Sequence, residues 1–131
     1  MACPGRFRLK GGQTAMATNQ DIINELRKSY AMELETVQNY LANSIDLDGV
    51  RAEEIKKALL GDIEEELGHA RKIGHRIKVL EGRVPGSLDL DRTQRFLQPP
   101  NDSTDVTTVI RGVIRAEDEA IDQYKKNYQD V

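Results

Sequence analysis

The sequence has no tryptophan, a single cysteine and four prolines in 131 residues. One cysteine, Cys3, excludes an intrachain disulfide and any zinc site built from thiolates. It fits a reducing compartment, and the cytoplasm is the expected location. No run approaches the roughly 18 apolar residues of a transmembrane helix, so no membrane span is expected. A strong excess of one charge is also missing. The net charge is −3, and Arg27-Lys28, Lys56-Lys57 and Lys125-Lys126 are scattered among acids, which gives no electrostatic case for nucleic acid. Aromatic residues make up 5%, a scarcity that suits helices better than sheets.

What remains is a chain of one domain's length, 31% charged, patterned in long amphipathic stretches. Residues 1–17 are the exception. "MACPGRFRLKGGQTA" is positively charged but lacks the apolar core of a secretory signal. With two adjacent glycines and no periodicity, 1–17 reads as a disordered leader or an expression remnant, Met16 being an alternative start. The folded domain is then 18–131.

Three helices are expected in that domain, and no strand. The first, about 19–43, opens at Thr18-Asn19, either of which can cap it. It carries Ile22, Ile23, Leu26, Tyr30, Val37, Tyr40 and Leu41 at helical spacing. "SIDLDG" breaks it, and Asp48 can cap the next. The second, about 50–81, has the stripe Ile55, Leu59, Ile63, Ala70, Ile73, Ile77 and Leu80, with Gly82 placed as a left-handed cap. A non-periodic stretch follows, "RVPGSLDLDRTQRFLQPPNDS", holding three of the four prolines. A connection that long suits a crossover running the length of a helical bundle. The third helix, about 103–131, starts near Ser103 or Thr104 and sets Val106, Ile110, Val113, Ala120, Ile121 and Tyr124 on one face.

Each stripe is interrupted mid-helix by a carboxylate: Glu33, Glu66 and Glu117, with His69 three residues after Glu66. One glutamate on an apolar stripe is ordinarily a boundary residue reaching solvent, and one histidine a hydrogen-bonded core residue. Three buried carboxylates would be costly and would repel one another. A divalent cation relieves both costs, and carboxylate with imidazole suits iron, manganese or zinc better than calcium. Glu66 and His69, three apart, share a helix face and can grip one ion. Glu64, Glu65, Glu35, Glu119 and His75 fall on other faces and read as solvated.

"MELETVQNY" at 32–40, "EELGHARKIGHRIKVLEG" at 65–82 and "RAEDEAIDQY" at 115–124 resemble the first three helices of the ferritin-like di-iron carboxylate proteins, bacterioferritins and their mini-ferritin relatives among them. The pattern in that family is one Glu from each of two helices and Glu-x-x-His from each of the other two. The resemblance implies an all-α antiparallel bundle, of which this chain carries three of four helices. It implies that Glu33 and His69 bind a first metal, that Glu66 bridges two, and that Glu117 is a terminal ligand of the second. Tyr40 matches a tyrosine close to the metal centre, where it hydrogen-bonds a ligand or donates an electron; the plainer reading is a core tyrosine. Leu67 stands where haem-binding relatives carry the axial methionine, so haem is not expected.

The fourth helix, with its own Glu-x-x-His, has no counterpart here. Three explanations stay open: the chain is cut from a longer product, a second chain completes the bundle, or the site holds one metal or none. Self-association into a homo-oligomer is expected in any case, because three such helices leave an apolar groove. The leading expectation is an iron-binding protein that oxidises Fe(II) with dioxygen or peroxide, for storage or detoxification. The alternative is a metal-free helical interaction module that associates through the groove.

Overall fold

The computed structural model describes residues 6–8, 14–16 and 18–129. Its body is three long helices, α1 (Asn19–Asp46), α2 (Ala52–Val79) and α3 (Val106–Gln129). Before them, β1 (Arg6–Arg8) and β2 (Thr14–Met16) pair antiparallel, with Phe7 opposite Ala15. This short ladder lies within residues 1–17, ahead of the helical domain. In the sequence the paired runs flank the two glycines, a composition that favours hairpins.

Thr18 caps α1: its hydroxyl accepts from the Asp21 amide at 3.1 Å, and the Asp21 carboxylate accepts from the Thr18 amide at 2.9 Å. The helix runs three residues past the expected Asn43, because Ser44 returns its hydroxyl to the Leu41 carbonyl and Leu47 is fully buried just beyond the end. Gly49, at φ +99, turns the chain toward α2. Asp48 does not cap α2. Its amide donates to the Ser103 carbonyl at 2.9 Å, and its carboxylate accepts from the Ser103 hydroxyl at 2.8 Å.

At the far end of α2 the left-handed residue is Glu81, at φ 65, rather than Gly82. The amides of Glu81 and Gly82 donate back to the Lys78 and Ile77 carbonyls, closing the helix. Gly82 is required for another reason: a Cβ there would lie 2.9 Å from the side chains of both Ile23 and Ile77.

From Arg83 the chain runs alongside α1 in the same direction. Arg27 donates to the Arg83 carbonyl, Glu35 accepts from the Thr93 and Gln94 amides at 2.7 and 2.8 Å, and Asn43 donates to the Leu97 carbonyl at 2.9 Å. This is the expected crossover, held largely by polar contacts. Glu35 is therefore an anchor, where the sequence suggested a solvated acid. Leu97 is buried at φ 62, and Gly112 of α3 packs against its backbone. Asp105 then caps α3 by accepting from the Thr108 amide, so the helix starts three residues later than expected.

α2 and α3 each run antiparallel to α1 and pack mainly on it, with sparse contact between themselves. The apolar core has two parts. One gathers Tyr40, Leu47, Leu59, Leu97, Val109 and Ala116; the other centres on Ile23, Ile73 and Ile77. Each fully buried large side chain stabilises the fold by about 1.5–3 kcal/mol. That is enough for two such clusters to hold a polar layer between them.

The packing face of α3 is rotated by about one residue from expectation. Val109, Gly112, Ala116 and Gln123 face inward, whereas Ile110, Ile114 and Ile121 are 40–55% exposed. The apolar arc of α3 is wider than α1 and the crossover can cover, and the small side chains permit the closest approach. Among the described residues, no helix is long and apolar enough to cross a membrane.

Candidate metal centre

Between the two apolar clusters lies a layer of buried polar groups. Ser29, Glu33 and Thr36 of α1 are all buried, one or two turns apart on the face toward α3 and α2. Because α1 and α2 form an antiparallel pair, Glu33 comes level with Glu66 and His69. Oxygens of the two glutamates and a ring nitrogen of His69 all lie within 4.8 Å of one another. His69 Nδ1 is 3.6 Å from Glu66 Oε2 and 3.8 Å from Glu33 Oε2, beyond hydrogen-bonding range.

The electrostatics of this trio are those of a site short of positive charge. Burial, then the hydrogen bond and negative charge of Glu33, push the Glu66 carboxyl up to about 8, against a smaller opposing pull from His69. Near neutral pH the proton on Glu66 therefore stands in for a cation. His69 Nδ1 is buried and has no hydrogen-bond partner, an omission that costs about 1–3 kcal/mol in a protein interior. A single ion among the three would satisfy that nitrogen and displace the Glu66 proton. Donors bound to one ion at about 2.1 Å in a tetrahedral set sit about 3.4 Å apart, so the imidazole nitrogen, at 3.6 and 3.8 Å from the two carboxylates, has only a short way to close on each. The residues fit a metal, and two carboxylates with one imidazole suit iron, manganese or zinc.

The other two expected site residues lie at the edge. Tyr40 is buried in the wall of the adjoining cleft, which encloses about 30 Å³ lined by Met32, Glu33, Thr36, Glu66, Ala116 and Glu117 among others. Burial first, then the charges of Glu66, Glu117, Asp62 and Glu33, hold its phenol well above the ordinary range, so it keeps its proton. Glu117 is exposed, because α3 is rotated; it borders the cleft without joining the trio. Glu64, Glu65, Glu119 and His75 are exposed.

α3 reaches the trio through a different residue. The Tyr124 hydroxyl donates to Glu33 Oε1. On either side of it, Gln123 donates to the Glu25 carboxylate at 2.6 Å and Asn127 to the Ser29 hydroxyl at 2.7 Å. The sequence signal for Tyr124 was its place seven residues after Glu117, matching Tyr40 after Glu33. Spacing alone assigned it no partner.

A helical hairpin plus a long crossover to a third helix, with Glu-x-x-His facing a glutamate on the first helix, defines the class of carboxylate-bearing helical bundles. Residues 23–131 match the family model of the ferritin-like domain, and the chain belongs to that family. Among solved structures it is similar to a ferritin-like, diiron-carboxylate protein from Bacillus anthracis, with a TM-score of 0.72 at 22% identity, over 83% of this chain and 72% of that one. No curated protein matches. The first similarity reaches the family and the second the fold alone; neither singles out the bacterioferritin branch.

Proposed function

We propose that this protein binds iron at Glu33, Glu66 and His69 and oxidises Fe(II), serving iron storage or detoxification. The observation that carries the reading is the convergence of two carboxylates on a buried, unpartnered imidazole nitrogen. Iron here is substrate: each Fe(II) gives up one electron to dioxygen or peroxide, and carboxylate oxygens favour the Fe(III) product. Glu66 belongs to the trio and also lines the cleft, placed to face a second ion, and gives up its proton as a cation arrives. Tyr40, a neutral phenol in the cleft wall, can donate a hydrogen bond or an electron to what binds there. Glu117 borders the same cleft and supplies a carboxylate to a second ion when its side of α3 is covered.

The reading includes self-association. Ile110, Ile114 and Ile121, with Glu117 among them, form an exposed stripe on α3 that a helix of a second copy would cover. The same stripe favours the second reading, a metal-free interaction module.

The test is anaerobic titration with Fe(II) and with Co(II), alongside native mass, followed by admission of oxygen. Retained metal with Fe(III) absorbance growing after oxygen, lost in Glu66→Ala and His69→Ala, is expected. Association with no metal retained would establish the module instead.

A further inference from the structure

Glu33 has the most buried side chain of the trio, 5% exposed against 19% for Glu66 and 40% for His69. Its two oxygens have different neighbours. Oε1 accepts the Tyr124 hydroxyl, whereas Oε2 is the atom 3.8 Å from His69 Nδ1. We infer that Tyr124 is a positioning residue that fixes Glu33 as a one-oxygen ligand, presenting Oε2 to the metal and holding Oε1 away from it. The inference rests on the metal-binding reading of the trio and adds α3 to it.

Three features make Tyr124 a fixed strut. Its ring packs against the second apolar cluster, that of Ile23, Ile73 and Ile77, which sets the direction of the hydroxyl. Gln123 and Asn127 tie the same stretch of α3 to Glu25 and Ser29, so the register against α1 is held on both sides. The contact also crosses between helices. Glu33 belongs to α1 and Tyr124 to α3, so metal geometry depends on α3 even though Glu117 stands outside the trio.

A carboxylate free to turn can offer both oxygens to one ion. Held by a hydroxyl on Oε1, it offers one, and a coordination position stays open for the oxidant. Hydrogen bonds behind a metal ligand typically matter by 10–100-fold in metal affinity, through orientation of the ligand.

Co(II), whose visible absorption reports coordination number, is the probe. Tyr124→Phe keeps the ring packing and removes only the hydroxyl. It is expected to weaken Co(II) binding 10–100-fold, because Glu33 is no longer held in the binding orientation, and to alter the visible band, because its second oxygen is no longer held away. Asn127→Ala loosens the docking of α3 without touching Glu33, and is expected to lower stability while leaving the Co(II) band unchanged. Equal band changes in both variants would mean that Tyr124 acts only by holding α3, and would overturn the inference. So would wild-type affinity and spectrum in Tyr124→Phe. A wild-type chain that takes up no Co(II) would overturn the metal reading itself, and this inference with it.

Discussion

Glu66→Gln separates the cost of the site from its use. In the metal-free protein the Glu66 carboxyl moves from an ordinary 4.5 to about 8. Between those values the unfolded chain has released this proton while the folded chain keeps it. The folded state binds more protons, so stability falls as pH rises through that window. The full displacement would amount to about 5 kcal/mol between pH 4.5 and 8. Glu66 borders an open cleft, and solvent screening reduces the expected loss to about 1–2 kcal/mol. The amide that Glu66→Gln introduces carries no titrating proton and can donate to Glu33 at every pH.

Urea unfolding of both proteins in chelator, from about pH 5 to about 8.5, spans that window and measures the effect. Groups remote from the trio titrate alike in the two, so the difference between the curves reports Glu66 together with its coupling to Glu33 and His69. The variant should overtake the wild type as pH rises, and should bind metal weakly throughout. Parallel curves would refute the argument that Glu33 and burial hold a proton on Glu66.

Metal affinity carries the opposite pH sign, because a cation must displace the same proton. Co(II) binding should strengthen by up to about tenfold per pH unit below about 8 and level off above, with proton release measurable by calorimetry in buffers of different ionisation enthalpy. Glu35→Ala removes the acceptor of two crossover amides. It should cost about 1–3 kcal/mol in urea unfolding and speed hydrogen exchange at Thr93 and Gln94. Gly112→Ala would set a Cβ 2.9 Å from the Leu97 Cα, and backbone cannot yield as a side-chain tip can; a loss of about 1–3 kcal/mol is expected in the same assay.

The parts legible in the sequence are those where one periodic helix meets another across a short turn. Glu33, Glu66 and His69 could be brought together because α1 and α2 form a hairpin, and hairpin register follows from length and stripe. The orientation of α3 was not legible. Its apolar residues span an arc wider than one neighbour, and the choice between Glu117 and Ala116 as the inward residue was decided by close approach to α1. Glu35 was misread because its partners are backbone amides in a stretch with no periodicity, which no pattern of side chains announces. Asp48 before α2 and Asp105 before α3 are both plausible caps by residue type; Asp105 caps its helix, whereas the carboxylate of Asp48 is taken by Ser103.

The crossover bears on traffic as well as on connectivity. At the level of Glu33, α2, α3 and this strap all pack on α1, and the Glu33 side chain is only 5% exposed. One open approach is the flank between α2 and α3, where His69 is partly open and a shallow hollow beside it is lined by Lys72, Ile73 and Tyr124. That flank is also the one bordered by the isoleucine stripe. On the proposed reading, metal entry and self-association would share this flank, and the rate at which the protein loads should then fall as its concentration, and with it the associated fraction, is raised.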